Sequence, residues 1–267
     1  MLPIAPVERN WYKLSNQPRH DTGRFHKEWY SLISGYTHRK LSITSDRLRA
    51  IASLAKSFHQ LFPDKYLAGL WQNDLMHGLL WCELTPTSSI EDEYCAPSWS
   101  RATYANKAEW FGCDQRKTRA FRQQFDFIGE EILLETEDPF QAVAGGFLTI
   151  SGRTRQVKLH HERFPLYPNM TFVRVTHGSK ELGHGSLDFY GFDDVRDKET
   201  LVLLIAETDA EVLHTSNHEV KPVGLIVIPR NSSHRTGKEY MRVGYFEDHP
   251  GQADFFHYCP LQEIKLL

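Results

Sequence analysis

The sequence predicts an α+β fold, with an N-terminal helical hairpin packed on a mostly antiparallel β-sandwich or partly closed β-barrel. Three features of the chain point to it. Before residue 85, apolar residues recur at spacings of three and four, the helical period. From residue 121 the grammar changes, and short β-branched and aromatic runs alternate with Gly, Pro and Asp turns. No helical period separates those runs, so βαβ units and the parallel sheet they build are not expected.

Residues 1–25 are rich in Pro, Asn, Arg and His and read as an extended arm. Residues 26–39 form the first helix candidate, with Trp29, Ile33 and Tyr36 on one side, and 40–44 read as extended. Ser45 is placed to accept a hydrogen bond from a free helical N–H, and Asp46 to sit against the positive end of the dipole. Leu48, Ile51, Leu54, Ala55, Phe58 and Leu61 then mark a buried stripe that Pro63 ends. Asp64 reads as the cap of a second helix striped by Leu67, Leu70, Trp71, Leu75, Leu79 and Cys82. The short turn between the two implies antiparallel packing. Residues 85–94 form a polar hinge or insertion, and 97–110 an aromatic turn.

Strands are expected at 125–134, 143–151, 153–160, 171–177, 186–192, 201–207, 223–229 and 240–247. Two further candidates are 254–258 and 263–267. Ser151-Gly152 reads as a tight hairpin turn between two of these strands. The chain thus divides into an arm (1–25), a helical hairpin with an aromatic linker (26–110) and an antiparallel β domain (111–267), expected to form one unit with the helices.

The bulk properties narrow the function classes. At 267 residues, with 40% hydrophobic and 24% charged residues, the composition is that of an ordinary globular protein. The net charge of -3, with no basic block, disfavours nucleic-acid binding as the main role. No apolar run reaches the ~18 residues of a membrane span, and the first residues carry no secretory-signal pattern. A cytoplasmic protein is the expectation. Cys82, Cys95, Cys113 and Cys259, without C-x-x-C spacing, then read as reduced thiols.

No motif for a cofactor or metal is found. His160 and His161 are adjacent on a strand and point to opposite faces, so they do not chelate one ion. Gly183-His184-Gly185-Ser186 lacks the G-x-S-x-G order of a nucleophile elbow and reads as a flexible hairpin loop. Asp193, Asp194 and Asp197 miss the spacing of a calcium loop and read as a solvated acidic turn. If the chain is catalytic, the acid–base candidates are His184, Asp188, Asp248 and His249. Trp71, Trp81, Trp99, Tyr104 and Trp110 form a dense aromatic set, read as the seam between helices and sheet, with a ligand pocket as the alternative.

Several words in the chain fall into a recognisable order. Tyr36, Arg39, Leu41 and Ser42 match a Tyr-x-x-Arg-x-Leu-Thr element. Asp46, Leu48, Ala50, Ile51, Leu54 and Ala55 match a helix word in which Ser53 stands where Gly is usual. Tyr66, Ala68, Gly69, Leu70 and Trp71 match Tyr-x-Ala-Gly-Leu-Trp, and Leu79, Leu80 and Trp81 match Leu-Leu-Trp. Pro97, Ser98, Trp99 and Ser100 match Pro-Ser-Trp-Ser-Trp, with Arg101 in place of the final Trp. Residues 224–227 and 240–244, with Arg242 and Gly244, look like closing strands. In this order they resemble the region that follows the core of fungal heterokaryon-incompatibility (HET) domain proteins. The resemblance runs from about residue 29 to the end, and the HET core itself, tied to cell death in the family, is missing.

The resemblance implies structural roles for the matched residues and carries over no catalytic one. It implies a non-enzymatic accessory or regulatory module in fungal self/non-self recognition, acting on a protein partner. The alternative is a small-molecule isomerase or cyclase of fungal secondary metabolism, its ligand held in an aromatic-lined pocket. A remnant of a longer HET protein is a third possibility. The sequence does not specify the oligomeric state.

Overall fold

The computed structural model describes residues 22–37, 44–83, 94–103, 108–110, 120–165, 170–189, 191–211, 218–230, 239–248 and 254–267. Outside these lie residues 1–21 of the arm, Arg39, the segment 40–43, residues 85–93 of the polar loop, Tyr104, Cys113 and His249.

Helix α1 (Thr22–Thr37) starts inside the segment read as arm. Phe25 explains the difference. Its ring stacks on Phe62, with centroids 5.5 Å apart and planes at 20°, and this packing extends the helix by a turn. Trp29, Tyr30 and Ile33 continue the buried side. Helix α2 (Arg47–Leu61) follows a 3-10 turn, Thr44–Asp46. Ser45 therefore lies within that turn, and no side chain caps the helix start. Asp46 Oδ1 instead accepts a hydrogen bond from Arg49 Nη1 at 3.1 Å. The expected stripe of Leu48, Ile51, Ala55 and Phe58 is buried. At the far end the Phe62 N–H donates to the Phe58 carbonyl at 2.8 Å, one residue before Pro63.

The second expected helix is not continuous. Residues 66–71 form a β-hairpin, β1 (Tyr66–Leu67) and β2 (Leu70–Trp71). Its two turn residues, Ala68 and Gly69, have φ of 41° and 104°, which no right-handed helix accommodates. The apolar spacing misled because every residue from Tyr66 to Trp71 is buried, so period carries no information there. Asp64 does not cap a helix. Its carboxylate accepts the backbone N–H of Lys65 at 2.7 Å and of Asn73 at 3.2 Å, closing the base of the hairpin. A 3-10 turn (Gln72–Asp74), a short helix α3 (Leu75–Leu79) and strand β3 (Trp81–Glu83) follow, with β3 paired to β4 (Ala108–Trp110).

The β region is one large sheet built from β5 (Phe121–Gln123), β6 (Phe125–Leu134), β7 (Val143–Glu162), β8 (Phe172–His177), β9 (Lys180–Leu187), β10 (Thr200–Glu211), β11 (His218–Pro229), β12 (Glu239–Asp248) and β13 (Leu261–Leu266). Every pairing is antiparallel except β12 with β13. Six strands pair in a closed cycle, β7-β8-β9-β12-β11-β10 and back to β7. Strands β5, β6 and β13 extend from that ring, so the expected partly closed, mostly antiparallel sheet is present.

Three details differ from the sequence reading. Ser151-Gly152 is not a turn but the middle of the 20-residue strand β7. A hairpin there would pair the two halves with each other. Instead residues 143–152 pair with β6, and residues 154–162 pair with β10 and β8. Residues 183–186 lie in β9 in full register with β8 and β12, not in a loop. Residues 254–257 form a short helix, α4 (Asp254–His257), rather than a strand.

The helices and the sheet share one hydrophobic cluster, from Phe25 and Trp29 through Trp81 and Trp99 to Phe246 and Leu266. Among the described residues no helix is long and apolar enough to cross a membrane. Cys82, Cys95 and Cys259 are free thiols.

Candidate functional site

Two places in the molecule concentrate chemistry. The first is a closed node where the helical layer meets the sheet. Its centre is Arg242 on β12, fully buried, with Asp188 also fully buried at the end of β9. Arg242 donates from Nε to Asp188 Oδ2 at 2.8 Å and from Nη2 to Asp188 Oδ1 at 3.1 Å, a two-point pair. It also donates to the carbonyls of Leu79 at 2.6 Å and Trp81 at 2.5 Å. Its guanidinium carbon lies 3.3 Å from the centre of the Trp81 ring. A charge this deep persists only when its donors are satisfied, and the carbonyls after α3 supply what Asp188 leaves over.

Around this centre the tryptophans read the backbone of their neighbours. Trp81 Nε1 donates to the Trp99 carbonyl at 3.1 Å, Trp110 Nε1 to Gly78 at 3.1 Å, and Trp29 Nε1 to Gly69 at 3.2 Å. Ser100 Oγ donates to the Ala68 carbonyl at 2.5 Å, so both turn residues of the β1–β2 hairpin are held from outside. Ser98 ties the node to the sheet. Its Oγ accepts the backbone N–H of Arg242 at 2.9 Å, and its own N–H donates to the Leu267 carbonyl at 2.9 Å. Gly244, two residues beyond Arg242, faces β9 so closely that a Cβ would stand 2.5 Å from the Ser186 carbonyl oxygen.

A second acid–arginine contact flanks the node. Arg101 Nη1 lies 3.1 Å from Glu83 Oε1, and both side chains are buried. Burial pushes the Glu83 carboxyl up to about 8, against the pull of Arg101. Burial likewise raises Asp188, opposed by the Arg242 guanidinium. It lowers Arg101, opposed by Glu83. The Arg101 guanidinium lies 5.8 Å from the centre of the Trp81 ring, which Arg242 approaches more closely.

A third group, missed in the sequence, fastens α1 to the hairpin. His26 is buried, with Nε2 3.4 Å from Asp64 Oδ2 and Nδ1 3.8 Å from Asp74 Oδ2. Tyr30 donates its hydroxyl to Asp74 Oδ2 at 2.9 Å, and His77 Nδ1 lies 2.6 Å from Asp74 Oδ1. The signal available was two acids flanking a buried word, but only the fold reveals that both face α1. Among the described residues no group of three or more His, Cys, Asp or Glu is placed to hold a metal ion.

The second place is open. A cleft of about 680 Å³ lies where β7 ends and is lined by His161, Arg163, Phe164, Pro165, Met170, Thr171, Gly191, Phe192, Asp193 and Arg196. His161 stacks on Phe192, with centroids 5.3 Å apart and planes at 17°. His160 points the other way and meets Thr176 Oγ1 at 3.0 Å, as strand alternation requires. The expected acidic turn is a 3-10 turn (Phe192–Asp194), with Asp193 and Asp194 exposed and Asp193 at the cleft's rim.

The acid–base candidates His184 and Asp188 do not line the cleft. Asp188 is enclosed with Arg242. His184 stands on β9 with Nε2 3.3 Å from Glu162 Oε2. The backbone of Asp248 pairs with Gly183, one residue from His184, and His249 falls outside the described residues. Among the described residues no tryptophan lines the cleft; of the aromatic set, Trp71, Trp81, Trp99 and Trp110 are buried. Of the family words, Leu48, Tyr66, Trp71, Pro97 and Trp99 are buried, Tyr36 and Asp46 half-buried. No family model, no curated protein and no solved structure matches the chain.

Proposed function

We propose that this chain is a non-enzymatic recognition or regulatory module, related to the region that accompanies HET cores and acting in the fungal cytoplasm in self/non-self discrimination. One observation supports this reading above the others. The family-like words around Tyr66–Trp71, Leu79–Trp81, Pro97–Ser100 and Arg242–Gly244 lie as far as 163 positions apart for one bonded pair, yet meet in one closed node. A node that joins such distant segments specifies a scaffold, and loops at the edge of a scaffold can change without disturbing it. Deletion of the gene in a fungus that carries it, followed by confrontation with incompatible and compatible strains, tests the reading. An altered incompatibility reaction supports it. An unchanged reaction, together with no complex between the purified chain and HET-core proteins of the same strain, would sink it.

A second reading, the small-molecule isomerase or cyclase, is favoured by the cleft alone, because His161, Arg163 and Arg196 bring polar groups to a volume of ligand size. Its aromatic lining is Phe164 and Phe192 rather than the tryptophans.

A further inference from the structure

We infer that the cleft at the end of β7 binds a small organic anion: a carboxylate or phosphate attached to a flat or apolar body. The inference stands apart from the module reading and rests on the cleft itself. Its volume, about 680 Å³, falls in the range of roughly 300–1,000 Å³ typical of ligand pockets. Two guanidiniums, Arg163 and Arg196, face it against one carboxylate, Asp193.

Asp193 Oδ1 sits 2.6 Å from Arg196 Nη2, so one positive charge is matched within the rim. Arg163 has no ion pair among the described residues and supplies an uncompensated positive charge. That local excess stands out on a chain whose net charge is -3. Guanidinium presents a fork of donors that suits carboxylate and phosphate oxygens. The body of the ligand has its own surface to meet. The His161–Phe192 stack, with Arg196 5.4 Å from the Phe192 ring centre, forms a layered wall of flat groups. Phe164 packs edge-on against Phe172, with centroids 4.8 Å apart, which holds a second ring beside the cleft. A bare inorganic ion would leave these apolar faces uncovered. A neutral aromatic would leave Arg163 unmatched.

Calorimetric titration of the full chain with phenyl phosphate, benzoate, inorganic phosphate and benzyl alcohol separates the cases. Saturable binding of phenyl phosphate or benzoate is expected, and the stronger of the two identifies the anion. Inorganic phosphate and benzyl alcohol should each bind at least about tenfold more weakly, since each lacks one half of the recognition. Arg163→Gln should weaken the preferred anion by about tenfold, the scale of one lost charged hydrogen bond. The residue is exposed, so its variant is expected to fold, with unchanged circular dichroism as the control. The inference is overturned if neither aromatic anion saturates below about 10 mM, a bound weaker than the ~1 mM that corresponds to 4 kcal/mol. Equal binding of benzyl alcohol, or unchanged affinity in both Arg163→Gln and Arg196→Gln, overturns it as well.

Discussion

Arginines in two regions of this protein are used in contrasting ways. Arg242 is fully buried between β12, Asp188 and the Trp81 ring, and four of its hydrogen bonds are made to Asp188, Leu79 and Trp81. Arg163 and Arg196 are exposed at the rim of the cleft. The buried guanidinium joins segments far apart in the chain and leaves no room for a ligand. At the rim, Arg196 pairs with Asp193, only three positions away, and both rim guanidiniums face a volume of ligand size. Net charge alone would not separate them. What separates them is whether the fold itself supplies the acceptors, and that difference divides scaffold from recognition surface.

The strongest way to break the comparison is to remove Arg242. Arg242→Met leaves the buried Asp188 carboxylate and two carbonyls without their donor, and the expected loss is about 3–5 kcal/mol of unfolding free energy. Urea denaturation followed by tryptophan fluorescence measures it. The double variant Arg242→Met, Asp188→Leu should recover much of that loss, because it removes the stranded charge as well. A single-variant loss below about 1 kcal/mol would place Arg242 with the surface arginines.

A smaller effect is expected at the hairpin turn that the node grips. Gly69 sits at φ 104°, and a Cβ there would meet Ser100 Oγ at an unstrained 3.6 Å. The cost of Gly69→Ala is therefore one of backbone conformation, about 1–3 kcal/mol. Thermal unfolding checks it, and an unchanged transition would mean that the turn adapts freely. Trp29→Phe probes the same grip from outside by removing the donor to the Gly69 carbonyl, with an expected loss of about 1–3 kcal/mol for a buried acceptor left unmatched.

How much of this was legible in the sequence depends on how far apart the deciding residues are. The stripe Leu48–Ile51–Ala55–Phe58 and the strand 125–134 were readable because periodicity and neighbours decide them locally. The hairpin at 66–71 was not, since burial on all sides erased the period, and only the positive φ values of Ala68 and Gly69 reveal it. Gly152 reads as a turn in isolation, and it takes β6 and β10, distant in sequence, to hold the chain straight through it. The node shows the same limit. Arg242 could be flagged as a family-like word, but its partner Asp188 stood only among acid–base candidates, 54 positions away. The cleft was the least legible, because Arg163 and Arg196 are 33 positions apart with no shared motif and meet only through the ring's geometry. The one local hint, two adjacent histidines on alternate faces of β7, did not say that His161 would stack on Phe192.

Glu83 sharpens the comparison through pH. Its carboxyl is raised by burial to about 8 from an ordinary 4.5. Between those values the folded state holds a proton that the unfolded state has released. Stability from this group is therefore full below about pH 4.5 and is lost as pH rises through about 8. Glu83→Gln keeps the shape of the neutral acid and removes the titration. The variant should match the parent near pH 5 and become the more stable of the two by pH 9, read as melting temperature across that range. A constant gap between the two proteins would remove Glu83 as the source of any slope.

The smallest effect is expected where an arginine pair is ordinary. Arg49 reaches Asp46 at 3.1 Å and Glu135 at 2.5 Å, linking α2 to the segment after β6. The geometry rivals that of Arg242, yet the Arg49 side chain is 40% exposed and its two acceptors 41% and 39%. Water competes for each group, salt screens them, and holding three long side chains in register costs entropy. Arg49→Gln should thus shift unfolding by less than about 1 kcal/mol, and the shift should shrink further in ~0.5 M salt. Arg242→Met should keep its full cost in the same buffer, because no ion reaches it. A salt-independent loss of several kcal/mol at Arg49 would show that distance, not burial, decides what an arginine does in this fold.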